Sequence, residues 1–187
     1  MKPIPMSRIR GQYKHIKVDR KFIFIGILVL FSSFFINIWS LIFLSFFCVI
    51  NAVLLSLDRY IQMPIDIEVS TFSAVLMTSV YGLKWGIAVA ILTKVVAILY
   101  TKIVRVDHFF MMGGYVIAAV LANKFAGLNI IVLGIIVTLL TNVYVVFVSK
   151  FITMLSNYEI IMYGTSNFIF NVVLFVGFAD LFKLIMI

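Results

Sequence analysis

Cysteine occurs once, at Cys48, so the chain makes no internal disulfide and offers no thiolate cluster to a metal. Histidine occurs twice, and His108 has no second histidine near it, so no metal site is expected. Acidic residues number 7 against 15 Lys and Arg, and they stand scattered at the ends of apolar runs. There is no His-Glu-x-x-His, no glycine-rich phosphate loop and no nucleophile elbow. Phosphoryl and acyl transfer at a membrane call for clustered carboxylates or a metal. An enzyme is therefore not expected, and neither is a cofactor; the nearest thing to a catalytic set, for a lipid-modifying reaction, is Asp66, Glu68 and Lys94. Period-two alternation with a polar lumen face is missing as well, which argues against a barrel.

What the chain has in excess is apolar length. Its 187 residues are 64% hydrophobic, with a mean hydropathy of +1.21. Ordinary soluble domains are about half apolar. Uncharged runs long enough to cross about 30 Å of hydrocarbon recur along it. The expected class is all-α: a polytopic membrane helix bundle in the cell membrane, with a six-helix core or seven transmembrane helices.

The net charge is +8, and seven of the cations fall within residues 1–21, from Lys2 to Lys21. A basic arm ahead of an apolar helix is expected on the cytoplasmic face. Each cation near an anionic lipid surface adds about 1 kcal/mol. Membrane attachment accounts for the charge, so no nucleic-acid partner is expected. The apolar run after Lys21 is too long for a signal peptide and lacks a small-residue cleavage site, so it reads as a retained anchor. Residues 22–187 read as a single helical domain.

From Phe22 to Leu57 no charge occurs. One helix of that length would reach about 54 Å, more than a tilted span needs. A reversal near 37–40 is expected, giving helices at 22–37 and 40–57 with Trp39 at an interface. Pro64 biases Met63 away from helix. The next helix is expected from 68 or 69 to Tyr81, then a tight turn at Gly82–Trp85 and an antiparallel helix at 85–104. A helix at 109–125 carries Gly113 and Gly114, then Ala118, Ala122 and Ala126 at intervals of four. Such a ridge lets a neighbouring helix approach closely. Further helices are expected at 130–150 and 160–184.

Lys94 falls mid-helix, where a charge costs about 2.5–3.5 kcal/mol on insertion scales. It is expected either to meet an anionic ligand or a carboxylate, or to snorkel to an interface. Asn142, Asn167 and Asn171 are amides in apolar runs, and the last two share a helix face. They either bond helices together or line a cavity with Lys94. Asp66 and Glu68 complete the candidate ligand-binding set, and His108 is expected at the interface.

Three stretches resemble the substrate-binding S components of energy-coupling factor vitamin transporters. They are Pro64–Phe72 with its apolar helix ending Tyr81-Gly82-Leu83-Lys84-Trp85-Gly86; the small residues Ala88 and Ala90 followed by Lys94; and Phe110-Met111-Met112-Gly113-Gly114-Tyr115 with Ala118-Ala119 and Leu121-Ala122. The resemblance covers about a third of the chain. It implies a six-helix bundle that binds a small vitamin-like, and here an anionic, solute beneath lid loops. It also implies docking to a transmembrane coupling protein driven by ATPases. The same pattern is similar to MreD-type rod-shape proteins, which implies instead a membrane scaffold that recruits partners. The chain departs from the S components in lacking an Ala-x-x-x-Ala motif on its first apolar segment. Seven helices would also put Arg59, Lys102, Arg105 and Lys150 inside and Lys84 and Lys124 outside, the inverse of the resemblance.

Overall fold

The computed structural model describes residues 37–61 and 64–187. The expected basic arm at 1–21, its lipid contact and the expected helix at 22–37 lie outside the described residues. Six helices are described: α1 (Ile38–Ile61), α2 (Ser70–Tyr81), α3 (Leu83–Thr101), α4 (Val106–Lys124), α5 (Ile130–Phe151) and α6 (Asn157–Met186). No strand occurs among the described residues. All but α2 are long and apolar enough to cross a membrane, so this is a membrane-spanning helical protein. The large apolar side chains left on the outside of the bundle, such as Val143, Leu139 and Ile161, suit a hydrocarbon surround.

The exception organises the rest. At 12 residues α2 reaches about 18 Å, too short to span. It touches all five other helices, and every residue from Ser70 to Thr78 is buried. Residues 64–69 precede it as irregular backbone. Such backbone survives at membrane depth only where protein surrounds it. Here Val69 N–H donates to Asn51 Oδ1 of α1 at 3.1 Å, and Asp66 N–H donates to Ser166 Oγ of α6 at 2.8 Å. Neighbouring helices thus supply partners that the segment cannot make for itself.

The expected hairpin is tighter than the sequence suggested. Gly82 alone turns the chain, at φ 91°, a conformation open to glycine. Helix α3 begins at Leu83, inside the expected turn, and stops at Thr101, where Lys102 adopts a left-handed cap. A Cβ at Gly86 would collide with Thr78, so its absence lets α2 and α3 close on each other. Helix α4 starts one turn earlier than expected, at Val106, which puts Gly113 and Gly114 in its interior. There they receive the Tyr144 ring of α5, with Tyr144 Oη 2.9 Å from where a Gly113 Cβ would stand. Ala118 and Ala122 are fully buried as expected of a packing ridge. Ala126 is not part of it: α4 ends at Lys124, and Ala126 is exposed in the following turn.

Helices α5 and α6 run antiparallel with a fixed register. Gly134 faces the Phe175 ring with no room for a Cβ, Asn142 bonds Asn167, and Val146 meets Gly164. Phe72 and Phe175 meet at 5.0 Å between centroids, and Phe47 and Phe182 complete an aromatic core around the first turn of α2.

These contacts give a sign test. Gly134→Ala and Gly86→Ala should each destabilise the protein in detergent by about 1–3 kcal/mol, because the new methyl meets filled space. Gly177→Ala, with nothing within 4 Å, should be neutral or stabilising. Thermal unfolding of the three variants reads the difference.

Candidate functional site

Lys94 lies about 18 Å along α3 from Gly82 and about 10 Å from Thr101. It is therefore well inside the bundle, 1% exposed, and it does not snorkel. Because α2 runs antiparallel to α3, its N-terminus lies level with Lys94. Two residues ahead of that N-terminus is Glu68, 2% exposed. The Lys94 ammonium and the Glu68 carboxylate form an ion pair. Of the two expectations for Lys94, the carboxylate partner is the one realised.

The pair is held from several sides. Tyr115 of α4 donates to Glu68 Oε2 at 2.8 Å, and Ser70 Oγ donates to the same oxygen at 3.2 Å. The Lys94 ammonium stands 6.0 Å over the Tyr115 ring, within cation–π range. Glu68 also lies beside the positive end of α2, where an anion is favoured. Below the pair, Asn51 bridges the backbones of α1, α2 and α3 by accepting from Val69 N–H and donating to Thr93 O at 3.3 Å.

A second polar cluster starts two residues earlier. The Asp66 carboxylate accepts from Asn167 Nδ2 at 2.9 Å. Asn167 Oδ1 accepts from Asn142 at 3.2 Å and from Asn171 at 3.3 Å. The three asparagines therefore bond α5 and α6 to each other and to the 64–69 segment. They do not line a cavity with Lys94; of the expected ligand-binding residues, only Asp66, Glu68 and Lys94 do.

The space inside that cavity is about 60 Å³, and it is open on one side. Glu68 and Lys94 contribute to its wall at the deep end. Its other walls come from the ends of helices that meet at one face of the bundle: Arg105 at the cap of α4 and Asp107 in its first turn, Thr153 and Leu155 between α5 and α6, and Tyr163. Arg105 grips Asp107 with two contacts, Nη2–Oδ2 at 2.7 Å and Nε–Oδ1 at 3.1 Å. Burial alone would lower the Arg105 pKa, but Asp107 and the Tyr163 hydroxyl outweigh it and hold the guanidinium above its usual value. Arg105 is thus a permanent cation at the rim. His108 sits in the first turn of α4, where its side chain is buried and lines the cavity. Among the described residues no cluster of three metal-ligating side chains occurs.

Comparison with known protein families, characterised proteins and solved structures finds no match. The site must be read from its own chemistry.

Sequence reasoning singled out both members of the ion pair without joining them to each other. It missed Tyr115 as a partner, and it placed His108 at an interface without seeing the cavity. One signal was available: a tyrosine one residue beyond Gly113-Gly114 sits where a close-packed helix carries a polar group inward.

Removing one member of the pair leaves a buried charge alone, which typically costs about 3–5 kcal/mol. Lys94→Leu should lower stability by that order, whereas Glu68→Gln combined with Lys94→Gln should recover most of the loss. A double-mutant cycle on thermal unfolding in detergent measures the coupling; additive losses would mean that the two charges do not interact.

Proposed function

We infer that the protein is a membrane-embedded binding subunit for uptake of a small solute. The observation that carries this reading is the Glu68–Lys94 pair in the wall of a cavity whose rim is formed by helix ends at one face of the bundle. Charged groups inside a membrane are expensive, and they mark solute or ion paths more often than they serve packing. A pure scaffold has no use for a cavity walled by five charged side chains. The cavity also has the makeup of a recognition site: apolar walls from Leu55, Phe110 and Met111, with convergent polar groups at its two ends.

In this reading the resemblance to S components supplies the partners, a transmembrane coupling protein and ATPases that drive release. The protein resides in the cell membrane, with the basic arm on the cytoplasmic side. Lys94 and Glu68 recognise the solute, while Arg105, Asp107 and Tyr163 guard its entry.

The test is to purify the protein gently and identify small molecules released on denaturation by mass spectrometry. A solute should co-purify with the natural chain and be absent from the Glu68→Gln, Lys94→Gln double variant, which should stay folded. An identical small-molecule profile from both preparations, with no solute raising the melting temperature of either, would contradict the reading.

A further inference from the structure

The charges that wall the cavity are neither all of one sign nor randomly mixed. Among the described residues they are Lys94 and Arg105 against Asp66, Glu68 and Asp107. They come as two opposed pairs, Lys94 with Glu68 at depth and Arg105 with Asp107 at the rim, plus Asp66 bonded by Asn167. The deep pair decides what can enter. A monoanion drawn to Lys94 would leave Glu68 without its ammonium in a water-poor site. A monocation drawn to Glu68 would strand Lys94 in the same way. An uncompensated buried charge is the most expensive outcome available.

A solute that carries both charges avoids the penalty. Its carboxylate takes Lys94, its ammonium takes Glu68, and one buried pair becomes two. Tyr115 and Ser70 hold Glu68 Oε2 while Lys94 is bonded through Oε1, so the carboxylate keeps a fixed anchor when Oε1 exchanges Lys94 for an incoming ammonium. Size points the same way. A water needs about 10–15 Å³ on this measure, so about 60 Å³ holds on the order of four to six water-sized groups. That is room for the charged head of a small amino acid, and the cavity is open beyond it.

We propose that the solute is a small zwitterion of the amino-acid class, held between Lys94 and Glu68. This rests on the solute-binding reading above and narrows it, and it replaces the anionic solute expected from sequence.

The experiment is calorimetric titration of the full chain in lipid nanodiscs with β-alanine, and with propionate and propylamine as its single-charge counterparts. Glycine, alanine and γ-aminobutyrate vary the charge separation. At least one zwitterion should bind at least about tenfold more tightly than either single-charge compound. Glu68→Gln should reverse the order between β-alanine and propionate, and Lys94→Gln should shift preference toward propylamine. The Glu68→Gln, Lys94→Gln double variant, checked for folding by its melting curve, should bind no zwitterion. Propionate or propylamine binding the natural chain as tightly as every zwitterion would overturn the zwitterion assignment and leave the solute-binding reading standing. A co-purified solute of net charge would do the same. No binding by any compound, with no co-purified molecule, would overturn both.

Discussion

An ammonium and a carboxylate that meet inside a membrane protein constrain everything around them. Neither can be left without the other, so the two chain segments that carry them must reach the same depth. Lys94 arrives on an ordinary spanning helix. Glu68 arrives on a stretch that dips into the bundle without helical hydrogen bonds and turns into a helix only at Ser70. That arrangement explains why α2 is short, why it is buried from Ser70 to Thr78, and why all five other helices pack on it. A lipid-facing position would leave the irregular backbone of 64–69 unsatisfied.

The same constraint separates structural polar groups from those available for function. Asn51, Asn142, Asn167 and the Asn171 amide nitrogen are spent on backbone groups, on Asp66 and on one another, and they fix the segment and the α5–α6 register. Glu68, Lys94 and Asp66 keep faces toward the cavity. The cavity is therefore a consequence of how the interrupted segment is accommodated. Its rim at Arg105 and Asp107 is built where the α3–α4 and α5–α6 connections converge. In a recognition role, the deep pair would set charge preference and the rim would set access.

Much of this was readable from the chain alone. The apolar runs and their breaks fixed the class and placed all six described helices to within about four residues at each end. Lys94 stood out because a mid-helix ammonium needs a partner, and Gly82 and Gly86 marked the hairpin. What could not be read was pairing across distance. Nothing local to Glu68 says that it lies beside Lys94, 26 residues on. Helix ends also escaped, because in apolar sequence the ends are set by contacts. Val106 starts α4 without a side-chain cap from the usual residues, and Lys102 ends α3 in a left-handed turn that its sequence does not advertise. The amides stayed ambiguous for a related reason: a buried asparagine looks the same in sequence whether it holds a helix or a ligand. Ala126 continued a spacing pattern beyond the helix that gave the pattern meaning.

The central claim is that Lys94 and Glu68 touch inside the bilayer-embedded protein. Solid-state NMR on protein in lipid bilayers, labelled with ¹⁵N at lysine Nζ and ¹³C at glutamate Cδ, measures this directly. The chain has only two glutamates, and Glu159→Gln removes the second. Strong dipolar dephasing that disappears in Lys94→Gln is the predicted result. Absence of dephasing, with every lysine ammonium in contact with water, would contradict the account.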